Sequence, residues 1–422
     1  MEIDVTNSDY FVNNNKSLCA KCRGTKNLCN RDRCPVLVKY YHRMKTEVLT
    51  DKTDISGSSP PGVFVGRYGY PKVDIGPLVP PFHGDTTELD LPELWVGKSI
   101  DEIVDSRTKL IRGKYQIRID KPDVHNRIVD FTRNMALAKE PAEVEAFFSK
   151  KPSGKISLSD SVQPYGPSAP LKNLDLGSIK FDRKLDKVYF DNDLKAVDAV
   201  LELYKKDVYV SKIQRAFSVG ALGIEENRRF VPTRWSITAV DDTIGKNLRE
   251  QIKDYRPIDE YRVYETWSLD NRWEILFLPR TWIYELVEAW YPETAWNPYG
   301  KNIAIISSHE RYEGRSSYAE IGGCFYAARM AVAEKLKSEK RQAGAVILRE
   351  THPGYIMPVG VWNVRENVRS ALRNEPKRFE TLKESLFHIS TRLDIRVNTW
   401  AKYSEVLRDA LYQTRLEDFG VG

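Results

Sequence analysis

The chain has 422 residues, 41% hydrophobic and 29% charged, with a formal net charge of +6. That length and apolar content suit a folded protein of two or three domains and exclude a disordered chain. No stretch reaches the length of a membrane span, and the start MEIDVTNSDYFVNNNK lacks the apolar run of a secretory signal, so a cytoplasmic protein is expected.

The positive charge is not spread evenly. Residues 1–13 hold three acids and no base, residues 14–45 hold nine Lys or Arg against Asp32, and the rest of the chain is nearly balanced. The basic segment also holds four of the five cysteines, in CAKCRGTKNLCNRDRC. Cys19 and Cys22 have the spacing of a metal knuckle, Gly24 gives the turn its freedom, and Cys29 and Cys34 complete four thiolates. Such a set suits structural Zn2+, which would fold a segment too poor in apolar residues to fold alone. His42 is a spare donor. Residues 14–45 are therefore expected to be a basic zinc-binding module. Lys16, Lys21, Arg23, Lys26, Arg31 and Arg33 alternate with the cysteines and are expected to point outward. Subtracting the charge of a four-thiolate zinc leaves roughly +6, enough to hold nucleic-acid phosphates in a salt-dependent way. A solvated surface without a partner is the plainer alternative.

The body, residues 46–290, opens with DISGSSPPGVFVGRYGYPKVDIGPLVPPFHGD, which reads as short strands and turns over a core. A helix is expected from Ser99, with Asp101 and Glu102 in its first turn, then a strand at KYQIRID and helices at NRIVDFTRNMALAK and PAEVEAFFSK, the second led by Pro141. Residues 151–180 are polar and read as a loop or boundary. LKAVDAVLELYKK reads as a helix and RRFVPTRWSITAVDD as a strand. YRVYETWSLDNRWEILFLP reads as a hairpin turning at 269–271, and TWIYELVEAWYPE as a short aromatic helix.

In residues 291–410 a long helix carries Ile321, Phe325, Ala328, Val332 and Leu336 on one face, with Cys324 a small residue beside it. GAVILRE and PVGVWNV read as strands, and TWAKYSEVLRDALYQ as helix. The fold expected is α+β, a mostly antiparallel mixed sheet with packed helices, plus the N-terminal zinc module.

No phosphate-binding loop, dinucleotide fingerprint or nucleophile elbow is present. Asp241, Asp242, His309, Glu350 and His352 could bind divalent metal for phosphodiester chemistry if they met in space. Salt-bridged loop residues are the ordinary alternative. The Arg and Trp residues of RRFVPTRW could grip a single strand by stacking.

The tail, residues 411–422, contains QTRLEDF. Gln413, Leu416 and Phe419 have the spacing of a PCNA-interacting peptide, in which one tight helical turn presents two apolar prongs to a sliding clamp. Gly420 stands where a second aromatic is usual, so weakened affinity is expected. The alternative is a fraying helix end packed on the body. Four-cysteine module, clamp-type tail and body stretches such as GRYGYPKVDIGPLVPP and HPGYIMPVGVWNVRENVR together resemble the Nre family of archaeal DNA repair proteins, over essentially the whole chain. The resemblance implies a role in the DNA damage response, partnership with the clamp and an archaeal cytoplasm, and it supplies no catalytic residue. The rival expectation is a metal-dependent nuclease or other nucleic-acid hydrolase.

Overall fold

The computed structural model describes residues 18–22, 26–29, 31–47, 50–120, 126–153, 163–298 and 300–412. Its first sheet contains β1 (Asp54–Ser59), β2 (Val63–Val65), β3 (Lys72–Val79), β4 (Ile111–Arg118), β5 (Ala142–Phe148) and β6 (Ser168–Leu176), in the order β1-β5-β6-β4-β3-β2. The second contains β7 (Tyr261–Ser268), β8 (Asn271–Leu278), β9 (Ile283–Trp290), β10 (Ala304–Glu310), β11 (Gly344–Thr351) and β12 (Lys377–Phe379), in the order β10-β9-β11-β8-β7-β12. One pair in each sheet is parallel, β4 with β6 and β11 with β9, and the other neighbours are antiparallel. The α+β class with mostly antiparallel mixed sheets holds.

The helices are α1 (Leu18–Cys22), α2 (Pro35–Glu47), α3 (Ile100–Thr108), α4 (Arg127–Leu137), α5 (Arg183–Tyr189), α6 (Ala196–Lys205), α7 (Val210–Ser218), α8 (Thr233–Ile252), α9 (Gly323–Glu339), α10 (Trp362–Arg373), α11 (Leu382–Ser390), α12 (Val397–Tyr403) and α13 (Glu405–Tyr412). Among the described residues no helix is long and apolar enough to cross a membrane.

Strand alternation fixes how the second sheet is covered. Tyr264, Ile275, Phe277, Tyr284, Leu286, Ala345 and Ile347 face a core completed by α8, α9 and α10, and that same core continues through α4, α6 and α7 into the first sheet. Val263, Leu276, Val287, Val346 and Leu348 face the opposite way, onto α11, α12 and α13. A third cluster joins Trp95 and the α3 residues Ile100, Ile103 and Val104 to Trp290, Tyr355, Met357 and Trp362.

Several elements form as expected. Ser99 and Glu102 make a reciprocal capping box at the start of α3. The hairpin turns at Leu269 and Asp270, both with positive φ, as a two-residue primed turn requires. The expected apolar face of α9 is buried at Phe325, Ala328, Val332 and Leu336, whereas Ile321 precedes the helix in a turn and is half-buried.

Others differ. PAEVEAFF is strand β5, not a helix: Ala142, Val144, Ala146 and Phe148 are buried while Glu143 and Glu145 are exposed, a period of two. IYELVEAW is strand β9, buried at every position because helices cover both faces. Its Glu285 and Glu288 resemble the polar stripe of a helix, but Glu288 accepts from Arg349 at 2.7 Å and Glu285 accepts from the backbone N–H groups of Glu405 and Val406. RRFVPTRWSITAVDD is not a strand: Pro232 leads into α8, whose Ser236, Val240, Ile244, Leu248 and Ile252 line up at four-residue spacing. PVGVWNV runs through Gly360 (φ 123°) into α10, whose buried Val364, Val368 and Ala371 face the core. The terminal helix breaks at Ser404, whose hydroxyl accepts from the Leu407 N–H and starts α13. Residues 151–180 include strand β6.

Candidate functional site

The basic N-terminal segment is laid onto the body by α3. Arg33 pairs with Asp101 at 2.7 Å, and the buried His42 ring lies 3.1 Å from Asp105 and 3.3 Å from Asp101 through its two nitrogens. His42 is therefore committed to carboxylates. Both acids are held below the ordinary carboxylate range: burial opposes the shift, and hydrogen bonds from Arg33 and His42 at Asp101, and from Lys109 and His42 at Asp105, override it. Arg31 is buried and donates to the Thr294 carbonyl at 3.2 Å. The expectation that all the bases point outward is corrected at Arg31, which is buried; Arg33 stays half-exposed although it pairs with Asp101, and Lys21 and Lys26 are exposed. Arg23 lies outside the described residues, as do Lys16 and Gly24.

Cys19 and Cys22 lie on α1, Cys29 follows in a turn, and Cys34 immediately precedes α2. The four lie on three separately described pieces of chain, 18–22, 26–29 and 31–47. Their chemistry suits zinc: four soft donors, two of them three residues apart on a single turn, and a fourth at a helix N-terminus, where the thiolate is favoured.

The five acid and histidine candidates do not meet. Asp241 and Asp242 lie on α8, on the face of the second sheet that also receives Glu310. Asp241 is fully buried, accepts from Gln214 at 2.9 Å and pairs with Arg365 at 3.1 Å. Burial pushes its carboxyl up to about 6, with Arg365 pulling the other way. Asp242 pairs with Arg329 at 2.6 Å, and Arg329 reaches Glu310 at 2.9 Å. His309 and Glu350 project from the opposite face, because His309 is opposite Glu285 and Glu350 opposite Ala289, two positions that share a side of β9. Burial lowers the His309 imidazole.

Glu350 and His352 do come together, with Asp394 as a third member that the sequence did not point to. Their donor atoms lie within 4.8 Å of one another. The group has ordinary structural work: Glu350 accepts from the backbone N–H groups of Asp394 and Ile395 at 3.1 and 2.7 Å, and Asp394 pairs with Arg272 at 2.6 Å. It ties the loop after α11 to β11.

A buried arginine cage also went unread. Arg349 lies among the rings of Trp273, Trp290 and Tyr355, 4.7 to 5.6 Å away, and donates to Asn271 and Glu288. Cys324 is close by. Burial, with Glu288 adding, pushes its thiol up to about 12, as suits an inert small residue. Arg228 of the RRFVPTRW motif is buried on backbone carbonyls, whereas Arg229, Arg234 and Trp235 are exposed. Gln413, Leu416 and Phe419 lie outside the described residues.

Comparison with known proteins supplies what this geometry does not. The family model for the N-terminal region of archaeal Nre matches residues 28–297, and the C-terminal one matches 310–419. The chain is 40% identical over 400 residues to the DNA repair protein NreB of Archaeoglobus fulgidus, covering 94% of this chain and 99% of that one. It is 37% identical to the DNA repair protein NreA of the same organism, over 89% of this chain and 94% of the relative. To the DNA repair protein NreA of Haloferax volcanii it is 34% identical, over 86% and 88%. No solved structure matches. With both family regions matched and the relatives aligned nearly end to end, this chain belongs to the archaeal Nre family.

Proposed function

We propose that this protein is a DNA repair factor that works at the sliding clamp. The observation that carries the reading is its 40% identity, over nearly the full length of both chains, to a relative named as a DNA repair protein. The tail sequence QTRLEDF supports the clamp as partner, with Leu416 and Phe419 as the apolar prongs and Gln413 as the polar one. Cys19, Cys22, Cys29 and Cys34 would hold zinc, which supplies a fold to the basic segment and no chemistry. The segment then contacts DNA or a repair partner. Lys21 and Lys26 are exposed bases available for phosphate, and Leu37, Tyr40, Tyr41 and Met44 give α2 an exposed apolar face for a partner protein.

The test is clamp capture by the full-length protein and by Leu416→Ala/Phe419→Ala, with duplex binding measured alongside for Lys21→Gln/Lys26→Gln. Capture should be lost in the first variant and kept in the second. In the second, duplex affinity should fall and its salt slope flatten by about two counterions. Undiminished clamp capture by the tail variant refutes the clamp reading.

A further inference from the structure

Two stretches far apart in sequence, GRYGYP and PTRW, meet at one exposed spot. GRYGYP is the tip joining β2 to β3, and PTRW opens α8. The Val65 N–H donates to the Thr233 hydroxyl at 2.9 Å, fastening the hairpin to the first turn of the helix. The Tyr70 ring then lies 5.2 Å from the Trp235 ring, tilted by 57°. Neither ring is covered by this contact: Tyr70 is 50% exposed and Trp235 46%. Tyr68, beside them at the tip, is 83% exposed, with the Arg67 guanidinium 5.2 Å from its ring centre.

The charge around these rings is mainly positive. Lys72 stands opposite Arg118 at the start of the β3–β4 pairing, Arg229 and Arg234 flank Phe230 and Trp235, and all four bases are exposed. Arg118 is matched by Asp120 at 3.0 Å. Among the described residues Arg67, Lys72, Arg229 and Arg234 have no acidic partner. Elsewhere on the body, bases such as Arg127, Lys151, Lys180 and Arg392 each have a nearby acid.

We propose that this hairpin tip and the start of α8 form a stacking platform for unpaired nucleobases, so that the body of the protein holds single-stranded nucleic acid. The inference rests on the nucleic-acid part of the repair reading and is independent of the zinc module and the clamp tail. Three exposed rings in one patch offer π-faces that any base can stack on, and the unmatched cations offer contacts to the phosphates between bases. A duplex uses the rings poorly, because its bases already stack on one another and must first be unstacked. A protein-docking patch would carry more aliphatic groups, whereas the exposed apolar groups here are aromatic and the bases outnumber the acids.

The experiment measures equilibrium binding of the full-length protein to labelled oligo(dT), oligo(rU) and a duplex of equal length. It compares the parent with Tyr68→Ala, with Arg67→Ala/Tyr68→Ala and with Trp235→Ala. Tyr68 is so exposed that its removal should leave the melting temperature unchanged, which guards against misfolding. The single-strand affinity should fall at least about fivefold in each variant while duplex binding stays the same. A 5-iodouracil strand should crosslink to Tyr68 or Trp235, read by peptide mass spectrometry. The oligo(dT) and oligo(rU) arms decide between DNA and RNA as the source of unpaired bases. Unchanged single-strand affinity with no crosslink at these rings overturns the platform, even if Lys21→Gln/Lys26→Gln still weakens duplex binding and so leaves the repair reading intact. Failure of the parent to bind any nucleic acid overturns the platform together with the nucleic-acid part of the repair reading, and leaves clamp capture as the separate test of the rest.

Discussion

At the scale of single residues, the chemistry that matters is set by pairs that sequence spacing does not display. Glu274 on β8 stands directly opposite Glu265 on β7, and one of its buried carboxylate oxygens has no hydrogen-bond partner. Burial, with the Glu265 charge adding, pushes its carboxyl up to about 9 from an ordinary 4.5. A carboxyl raised in the folded state contributes its stability at low pH and loses it as pH climbs through the folded value. Glu274→Gln, which cannot ionise, should therefore gain stability over the parent between pH 5 and pH 9. Urea midpoints at pH 5, 7 and 9 measure this, and a constant difference across the series would mean that Glu274 titrates normally. The turn at Leu269 and Asp270 was legible because a two-residue hairpin loop is local. The pairing of Arg33 with Asp101, 68 positions away, was not. Nor was the group of Glu350, His352 and Asp394, because α11 lies between its members in the chain.

At the scale of elements, the misread segments differ in cause. Residue period describes a half-exposed element well and a fully buried or polar-satisfied one poorly. β9 has no solvent face, so Glu285 and Glu288 looked like the wet side of a helix. In α8 the β-branched Thr233, Ile237, Thr238 and Val240 suggested a strand, yet the long packing against α9 overrode that weak preference. Clear caps did announce themselves, Ser99 with Glu102 above all. That helix, α3, is also the one that holds the N-terminal segment. Asp101→Ala/Asp105→Ala should expose residues 18–47 to limited proteolysis while lowering the stability of the body by no more than about 1 kcal/mol, since the ion pairs are partly solvated. Cleavage mapped by mass spectrometry checks this, and an unchanged digestion pattern would show that apolar contacts such as Val38 hold the segment without them.

At the scale of the whole molecule, the two family regions do not correspond to two independent cores. The second sheet takes β7, β8 and β9 from before residue 297 and β10, β11 and β12 from after it, and one apolar core runs from that sheet into the first. The α+β class could be read from the mixture of patterns, but this interleaving could not, because strand order within a sheet leaves no local trace. Chemical denaturation of residues 50–412 should accordingly proceed in one transition, with fluorescence and circular dichroism coincident. A fragment of residues 1–297 should be insoluble or lack a cooperative transition. A soluble fragment with its own sharp unfolding would show that the first region closes a core by itself. The position of β11 between β9 and β8 also has a consequence during synthesis. When Trp290 leaves the ribosome, the edges of β8 and β9 that will bind β11 are still bare. The strand that covers them starts 54 residues later at Gly344, roughly 3–11 seconds at ordinary elongation rates, so the nascent chain has a timed interval in which a holding chaperone or slow codons would govern its yield.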